Sequence, residues 1–320
     1  MMGANEQFHL DRLTGLGGSD MAAILGLSQY RTPVAVWLEK TGREAPQEST
    51  LQMRFGTMAE QFVAEEYCAA TGRQVQRFNP MLRHADCPMV IGHVDRLVIP
   101  DGAKRAAHQR EIRTDRLLEC KTASAFAASG GEWGPAGTDE IPPAYLIQCA
   151  TYLALTGCQY ADLAALFGNQ ELRVYNLRRD RDLEQEILRR AAEWWRKHIE
   201  NDMAPEPQSE ADVRLLFPRD NQREIEADAE IAESVAHLSW VKEQIKALEA
   251  DEQLHRDKVA AFIGEAAVLR YQGETLATYK AARDGSKTDW KTVAQAMKAP
   301  DALIAAHTKP TTGSRRMLIK

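Results

Sequence analysis

The sequence predicts an α/β domain over residues 1-204, followed by a helical and hairpin region over residues 211-320. Three observations carry this. Apolar residues recur at helical spacing up to about residue 70. Short apolar runs with strand character then appear at 89–100, 117–122 and 160–177, interrupted by one further helical stretch. After residue 211 the apolar spacing becomes heptad-like.

In chain order, Ser19 to Leu25 reads as a helix start, with Ser19 as the N-cap and Gly17-Gly18 allowing a tight approach before it. Thr32-Pro33 opens a second helix carrying Val34, Trp37 and Leu38, with proline at its first position. Met58 to Ala70 reads as a third, with Phe62, Val63, Glu66 and Tyr67 at helical spacing and a stop near Gly72. Met89 to Pro100 and Leu117 to Thr122 read as strands, and Ala144 to Leu155 as a helix ending at Gly157. Tyr160 to Phe167 and Glu171 to Leu177 form a strand pair turning at Gly168-Asn169. A long amphipathic helix, Leu183 to Asn201, closes the domain, and Ala204-Pro-Glu-Pro-Gln-Ser-Glu210 is a linker by composition. Helices before and after a sheet with a helix inserted make an α/β core. Beyond the linker, Ile231, Leu238, Val241, Ile245, Leu248, Val259 and Phe262 fall on heptad a and d positions, interrupted by Glu252 and His255, a long helix that can pair with another helix and that marks 211-320 as an interaction module. Ala267 to Lys280 alternates around Gln272-Gly273 and suggests a hairpin.

Composition narrows the function classes. Hydrophobic residues are 44% and charged residues 27% of the chain, a soluble globular balance. No apolar run reaches the roughly 18 residues that span a bilayer. Met1 to Leu10 lacks the basic-then-apolar order of a secretion signal, so a cytoplasmic home is expected. The five cysteines are odd in number, scattered and free of C-x-x-C pairs, which reads as reduced thiols. The net charge of −6 argues against a protein that coats nucleic acid over its whole surface. It does not argue against an enzyme with a basic track beside acidic metal ligands.

The chemistry sits in Ile91-Gly-His-Val-Asp95 and Leu117-Leu-Glu119-Cys-Lys121. On a strand, Glu119 and Lys121 project from one face. A neighbouring strand that places Asp95 beside Glu119 makes a two-carboxylate oxygen site, which suits Mg²⁺. Such an ion activates water and polarises a phosphoryl oxygen, and Lys121 can orient that water or stabilise developing charge. Alone the pattern is weak, because solvent-facing Glu-x-Lys pairs are common. It gains weight from Leu117-Leu118, since an acidic residue on the inward face of an apolar strand costs stability unless it binds something.

Further stretches complete a resemblance. Arg12-Leu-Thr-Gly-Leu-Gly-Gly-Ser-Asp20, Met21-Ala-Ala-Ile-Leu-Gly-Leu27 and Thr32-Pro-Val-Ala-Val-Trp-Leu-Glu-Lys-Thr-Gly42 resemble the opening of YqaJ-type viral recombinases. These are relatives of phage lambda exonuclease within the PD-(D/E)XK nuclease superfamily. Phe55-Gly-Thr-Met-Ala-Glu60 resembles the family's helical acidic motif, Gly92-His-Val-Asp95 its metal aspartate, Glu119-Cys-Lys121 its E-x-K strand, and Ala144-Tyr-Leu-Ile-Gln148 the helix whose Tyr and Gln face the active site. The pieces arrive in family order over about the first 200 residues.

The resemblance implies a restriction-endonuclease-like core with a mixed central sheet flanked by helices. It implies a Mg²⁺-dependent 5′-to-3′ exonuclease on linear double-stranded DNA, with Mn²⁺ as a substitute ion. Mononucleotides would be released and 3′ single-stranded tails left for phage-type recombination. It further implies a homotrimeric ring, a single-strand annealing protein as partner, and a phage or prophage origin in a bacterial host. Residue by residue, it makes Asp95, Glu119 and the backbone carbonyl of Cys120 the metal ligands and Lys121 the catalytic lysine. Glu60 would support the metal-bound waters or the lysine. Gln148 would hold the nucleophile or scissile phosphate, with Tyr145 nearby. Arg12 and Ser19 would receive the DNA 5′-phosphate, a role that suits a guanidinium fork and helix-start N–H donors.

Taken singly, several of these have plainer readings. Arg12 reads as a surface arginine, Ser19 as a cap, Glu60 as a solvated helix residue, and Tyr145 and Tyr152 as core aromatics. Trp37, Trp194 and Trp195 read as packing, and His84 and His93 lack partners at ligand spacing. Three departures from the family pattern stand out: Val94 replaces the usual proline, His93 stands where a small polar residue is usual, and the connection between the two catalytic strands is long. The connection from Asp101 to Arg116 carries Lys104, Arg105, Arg110, Arg113 and Arg116 against Asp101, Glu111 and Asp115. It reads equally as a solvated hairpin extension or as a loop contacting DNA phosphates. Two alternatives remain at this point: an endonuclease or nickase on the same core, and a non-catalytic DNA-binding recombination factor.

Overall fold

The computed structural model describes residues 10–44, 50–309, 315 and 317–318. The chain divides into two compact units, Met1–Leu216 and Phe217–Lys320.

In the first unit, helices α1 (Gly18–Ile24), α2 (Pro33–Lys40) and α3 (Leu51–Thr71) precede a five-stranded sheet. Thr32 caps α2 by accepting the Ala35 N–H, beside Pro33 at its first position. Helix α3 starts seven residues earlier than the apolar spacing predicts, at a Thr50 cap that accepts the Met53 N–H. Its opening turns expose Leu51, Met53 and Phe55, so they carry no inward-facing period to read. Helix α1 begins one residue before Ser19. Gly17 is its N-cap, and the Asp20 carboxylate accepts the Gly17 N–H at 3.0 Å. Ser19 therefore lies exposed at the second helical position and not at the cap, while Asp20 holds the cap residue's own N–H.

Strands β1 (Val75–Arg77), β4 (Arg96–Val98), β7 (Arg116–Ala123), β8 (Tyr160–Phe167) and β9 (Glu171–Arg178) form the sheet in that order. Short strands β2 (Leu82–Arg83) and β3 (Ile91–Gly92) pair beside it, and β5 (Ala107–His108) pairs with β6 (Glu111–Ile112). Pairing is antiparallel except between β7 and β8, which are parallel. Parallel neighbours need a crossover, and α4 (Pro143–Thr156), ended by Gly157, supplies it. This is a mixed central sheet flanked by helices, as expected. The single strand expected over 89–100 is two, broken at Asp95. There the Asp95 side chain accepts the Cys120 N–H at 2.8 Å, occupying a donor the ladder would otherwise use.

Each face of the sheet carries its own core. Leu97, Leu117, Leu163, Phe167 and Tyr175 pack with Tyr152 and Leu153 of α4. On the opposite face Val98, Leu118, Cys120 and Ala164 pack with Val63 and Tyr67 of α3. A third cluster joins α1 and α2 to α4 and to α5 (Arg181–Trp194), which widens to a π-helical turn over Trp195–Glu200. Buried Asp162 is held by Tyr67, Arg73, Arg116 and Asn176, so Arg116 serves the core and not the loop it ends.

The composition-defined linker lies within the first unit. Helix α6 (Glu210–Leu216) places Asp212 where it accepts from Thr32 Oγ1 at 2.6 Å and from the Gln208 N–H at 2.9 Å. The division into units falls after Leu216 for that reason. In the second unit, α7 (Ala229–Ile263) is capped by Asp228 and ended by Gly264. Strands β10 (Val268–Tyr271) and β11 (Glu274–Thr278) form the expected hairpin, with Gln272 and Gly273 both at positive φ. Short helices α8 (Trp290–Ala296) and α9 (Asp301–His307) follow. No helix among the described residues is long and apolar enough to cross a membrane.

Candidate active site

The alternation of β7 decides the site. Leu118 and Cys120 face α3, while Leu117, Glu119 and Lys121 face α4. Asp95 precedes β4 directly beside this edge. The structure thus brings Asp95, Glu119 and Lys121 together beneath α4.

Glu119 is 2% exposed. Its Oε1 accepts from Lys121 Nζ at 2.6 Å and from Gln148 Nε2 at 2.7 Å. Its Oε2 is buried and accepts no hydrogen bond among the described residues. A buried carboxylate oxygen without a donor is costly, and a hard cation is the natural complement to it. Burial raises the Glu119 pKa against the pull of Lys121. Asp95 is raised well above the carboxylate range, first by burial and then by the Glu119 charge, against Lys121 and the Cys120 N–H. Burial alone would lower the Lys121 pKa, but Glu119 and Asp95 outweigh it, and the ammonium is stabilised. A buried Asp95 whose charge Glu119 disfavours, beside one buried Glu119 oxygen that accepts no hydrogen bond among the described residues, fits a divalent cation. Among the described residues no three His, Cys, Asp or Glu side chains form such a group. A cation here would rest on two carboxylates and need backbone oxygen, for which the Cys120 peptide is adjacent.

The remaining expected residues are placed as follows. Gln148 is buried and donates to Glu119, and also to Tyr152 Oη at 3.1 Å, so it orients a carboxylate. The Tyr145 ring lies 5.4 Å from Lys121 Nζ, within cation–π range. Glu60 reaches toward the site from α3 but is bonded to Arg96, not to Lys121. Cys120 is buried, and burial pushes its thiol up, so its side chain is packing.

Arg12 does not stand alone. It meets Asp20 at 3.3 Å and Glu39 at 3.8 Å. Arg31 bonds the same two carboxylates, and fully buried Lys40 bonds Asp20 at 2.7 Å and the Arg12 carbonyl at 2.7 Å. Three cations face two carboxylates, leaving one positive charge in excess. Lys104, Arg105, Arg110 and Arg113 are exposed on and beside the β5–β6 hairpin. Arg113 is paired with Glu111 at 2.6 Å. The hairpin is anchored by Gln76 Oε1, which accepts the Ala106 and Ala107 N–H groups.

Sequence reasoning missed two contributors. Arg96 is 3% exposed, donates to the Asp95 carbonyl at 2.6 Å, and ties α3 to this edge through Glu60 and Gln61. Its position directly after Asp95 was the available signal. Tyr152, one helical turn after Gln148, fixes that amide. Gly18 and Gly92 make room for both: a Cβ on Gly18 would lie 2.8 Å from Gln148 Cγ, and one on Gly92 2.9 Å from Tyr152 Cε1.

Residues 7–159 match the model of the YqaJ-like viral recombinase domain. The chain is 31% identical over 255 residues to the uncharacterized protein YqaJ of Bacillus subtilis (strain 168), covering 77% of this chain and 74% of that one. Among solved structures it is similar to LHK-Exo, an alkaline exonuclease from Laribacter hongkongensis, at 19% identity and a TM-score of 0.44, covering 59% of this chain and 90% of that one. It is also similar to a phage-related exonuclease from Haemophilus somnus 129PT, at 12% identity and a TM-score of 0.40, covering 59% and 96%.

Proposed function

Since the chain belongs to the YqaJ-like viral recombinase family, we propose that it is a Mg²⁺-dependent nuclease that degrades linear double-stranded DNA from its 5′ ends. The observation that carries the reading is the buried, unpartnered Glu119 Oε2 beside Asp95 and Lys121. Asp95, Glu119 and the Cys120 carbonyl would hold the ion, Mg²⁺ or in its place Mn²⁺. When bound, it supplies positive charge for the phosphoryl oxygens and acidity for the attacking water.

The chain's own residues do the rest. Lys121 remains protonated and donates toward charge that develops on the phosphate. Gln148, braced by Tyr152, fixes the Glu119 rotamer so that Oε1 is occupied and Oε2 is left for a ligand. Tyr145 covers the lysine. Arg12, Arg31 and Lys40 have one charge more than Asp20 and Glu39 neutralise, and the half-buried Arg12 with exposed Ser19 beside it would receive a terminal phosphate. Products would be mononucleotides and a duplex with a 3′ single-stranded tail, passed to a single-strand annealing protein. A homotrimeric ring in a bacterial cytoplasm would let a chain of net charge −6 surround DNA with a basic channel.

The test is digestion of linear duplex with and without 5′-phosphates, beside a covalently closed circle and the Lys121→Ala variant, in Mg²⁺ and in EDTA. Phosphorylated ends should be degraded fastest, the circle should survive, and the variant and EDTA reactions should be inactive. Cutting of the circle would replace end recognition with an endonuclease or nickase on the same site. No cutting of any substrate would leave a DNA-binding recombination factor.

A further inference from the structure

Helix α7 of the second unit runs for 35 residues and keeps its heptad positions open. Ile245 is 49% exposed, Leu248 69%, Val259 40% and Phe262 79%. Two polar residues, Glu252 and His255, sit in the middle of this apolar seam, at an a and a d position. A buried polar layer in a coiled coil specifies register, and the flanking e and g charges set partner and orientation, so these positions together identify the partner.

We infer that α7 pairs with α7 of a second copy of this chain, antiparallel, about a twofold axis between residues 253 and 254. In that register each a residue meets a d residue of the other copy. Glu252 of one helix faces His255 of the other, twice, so a carboxylate meets an imidazole donor in both central layers. Leu248 then faces Val259, and Ile245 faces Phe262, so each flanking layer is apolar on both sides. The flanks agree. Glu249 and Arg256 share the e position, Asp251 and Lys258 the g position. Antiparallel helices set e against e and g against g, giving Glu249 to Arg256 and Asp251 to Lys258, each opposite in sign.

A parallel pairing of two copies fails at the same residues, because it sets Glu252 on Glu252 and His255 on His255 in adjacent central layers. Like groups stacked in a desolvated seam are disfavoured. A foreign helix would have to match this charge order, whereas the chain already does so by symmetry. The pairing is isologous and closes on itself, so it joins copies two at a time however the nuclease units assemble. It does not depend on the nuclease reading.

The experiment uses the full chain. One preparation carries Leu248→Cys and another Val259→Cys, and the two are mixed and oxidised, with the wild type and each single preparation as controls for the native cysteines. The antiparallel register gives a disulfide between the two different chains and no self-linked product beyond the wild-type background. Self-linking of Leu248→Cys would overturn the orientation. No product in any mixture would overturn the pairing and leave the seam to another protein. Sedimentation equilibrium supplies the second readout. Glu252→Lys should weaken self-association by about tenfold or more, equivalent to about 1.4 kcal/mol. The double change Glu252→Lys with His255→Glu in one chain should restore it, since lysine then faces glutamate across the seam. A double variant as weak as the single one would overturn the proposal. Nuclease activity should be the same in all these variants.

Discussion

Gln148 Nε2 donates to Glu119 Oε1 across 2.7 Å, from the middle of the crossover helix to the middle of the parallel strand. The bond makes the two Glu119 oxygens inequivalent. One is held by Gln148 and Lys121, and the other is buried and unanswered. In the proposed metal site Gln148 would orient a ligand, and residues that do so typically change metal affinity or activity by about 10–100-fold when removed. Gln148→Ala should therefore raise the Mg²⁺ concentration for half-maximal nuclease activity by about that factor, with less effect at saturating ion. Gly18→Ala, which crowds Gln148 Cγ, should shift it in the same direction. A titration of activity against Mg²⁺ checks both. A loss of activity that no Mg²⁺ concentration recovers would instead make Gln148 a catalytic group.

Asp95 sets the pH behaviour of the metal-free protein. Burial, then the Glu119 charge, raise its pKa in the fold. The unfolded chain thus ionises Asp95 at lower pH than the folded one, and stability falls as pH rises from about 3.9 through the raised folded value. At neutral pH the metal-free fold carries that cost. Asp95→Asn removes the charge and keeps an acceptor for the Cys120 N–H, so its melting temperature in EDTA should exceed that of the wild type. Mg²⁺ should stabilise the wild type and not the variant, since an ion that binds only the native state stabilises it. Thermal melts with and without Mg²⁺ decide, and a variant less stable than wild type in EDTA refutes the account.

Asp20 has the opposite sign. Burial alone would raise its pKa, but Lys40, Arg31 and Arg12 outweigh burial and hold it below the ordinary carboxylate range. Its stabilisation is complete above the unfolded pKa of about 3.9 and is lost as pH falls through the lower folded value. Asp20→Asn leaves the fully buried Lys40 ammonium without its counter-ion. Breaking a buried pair this way costs about 3–5 kcal/mol. Urea unfolding midpoints from pH 7 to pH 3 should be lower throughout for the variant and should fall less steeply in acid. Equal slopes would show that Asp20 does not govern acid stability.

The β5–β6 hairpin separates a free cation from a paired one. Arg110 is exposed at its turn, while Arg113 is engaged by Glu111. Each phosphate contact contributes about 0.9 to the slope of log affinity against log salt. Arg110→Glu should flatten that slope by about one contact, and Arg113→Glu by less. Duplex binding measured across a salt series tests this. Unchanged slopes for both would make the hairpin a solvated extension and nothing more.

Much of the fold was legible because periodicity and breakers act locally. Pro33, Gly157 and the Gln272-Gly273 turn mark boundaries the structure keeps. The misses share one cause, which is competition between side chains for backbone groups or for exposure. Gly17 took the cap assigned to Ser19, with its N–H held by Asp20, and Asp95 took the Cys120 N–H and split a strand. Asp212 tied the proline-rich stretch to Thr32 and moved the boundary to Leu216.

The sequence by itself determined the alternation that puts Glu119 and Lys121 on one face of a strand, because a two-residue period needs no partner. It also determined the heptad seam of α7. Only the tertiary structure decided that Gln148 grips Glu119, that Arg96 claims Glu60, and that Arg12 shares its carboxylates with Arg31 and Lys40. Those pairings join residues 8 to 36 positions apart. At such separations the choice among several equally suitable partners is made by packing, which no local pattern encodes.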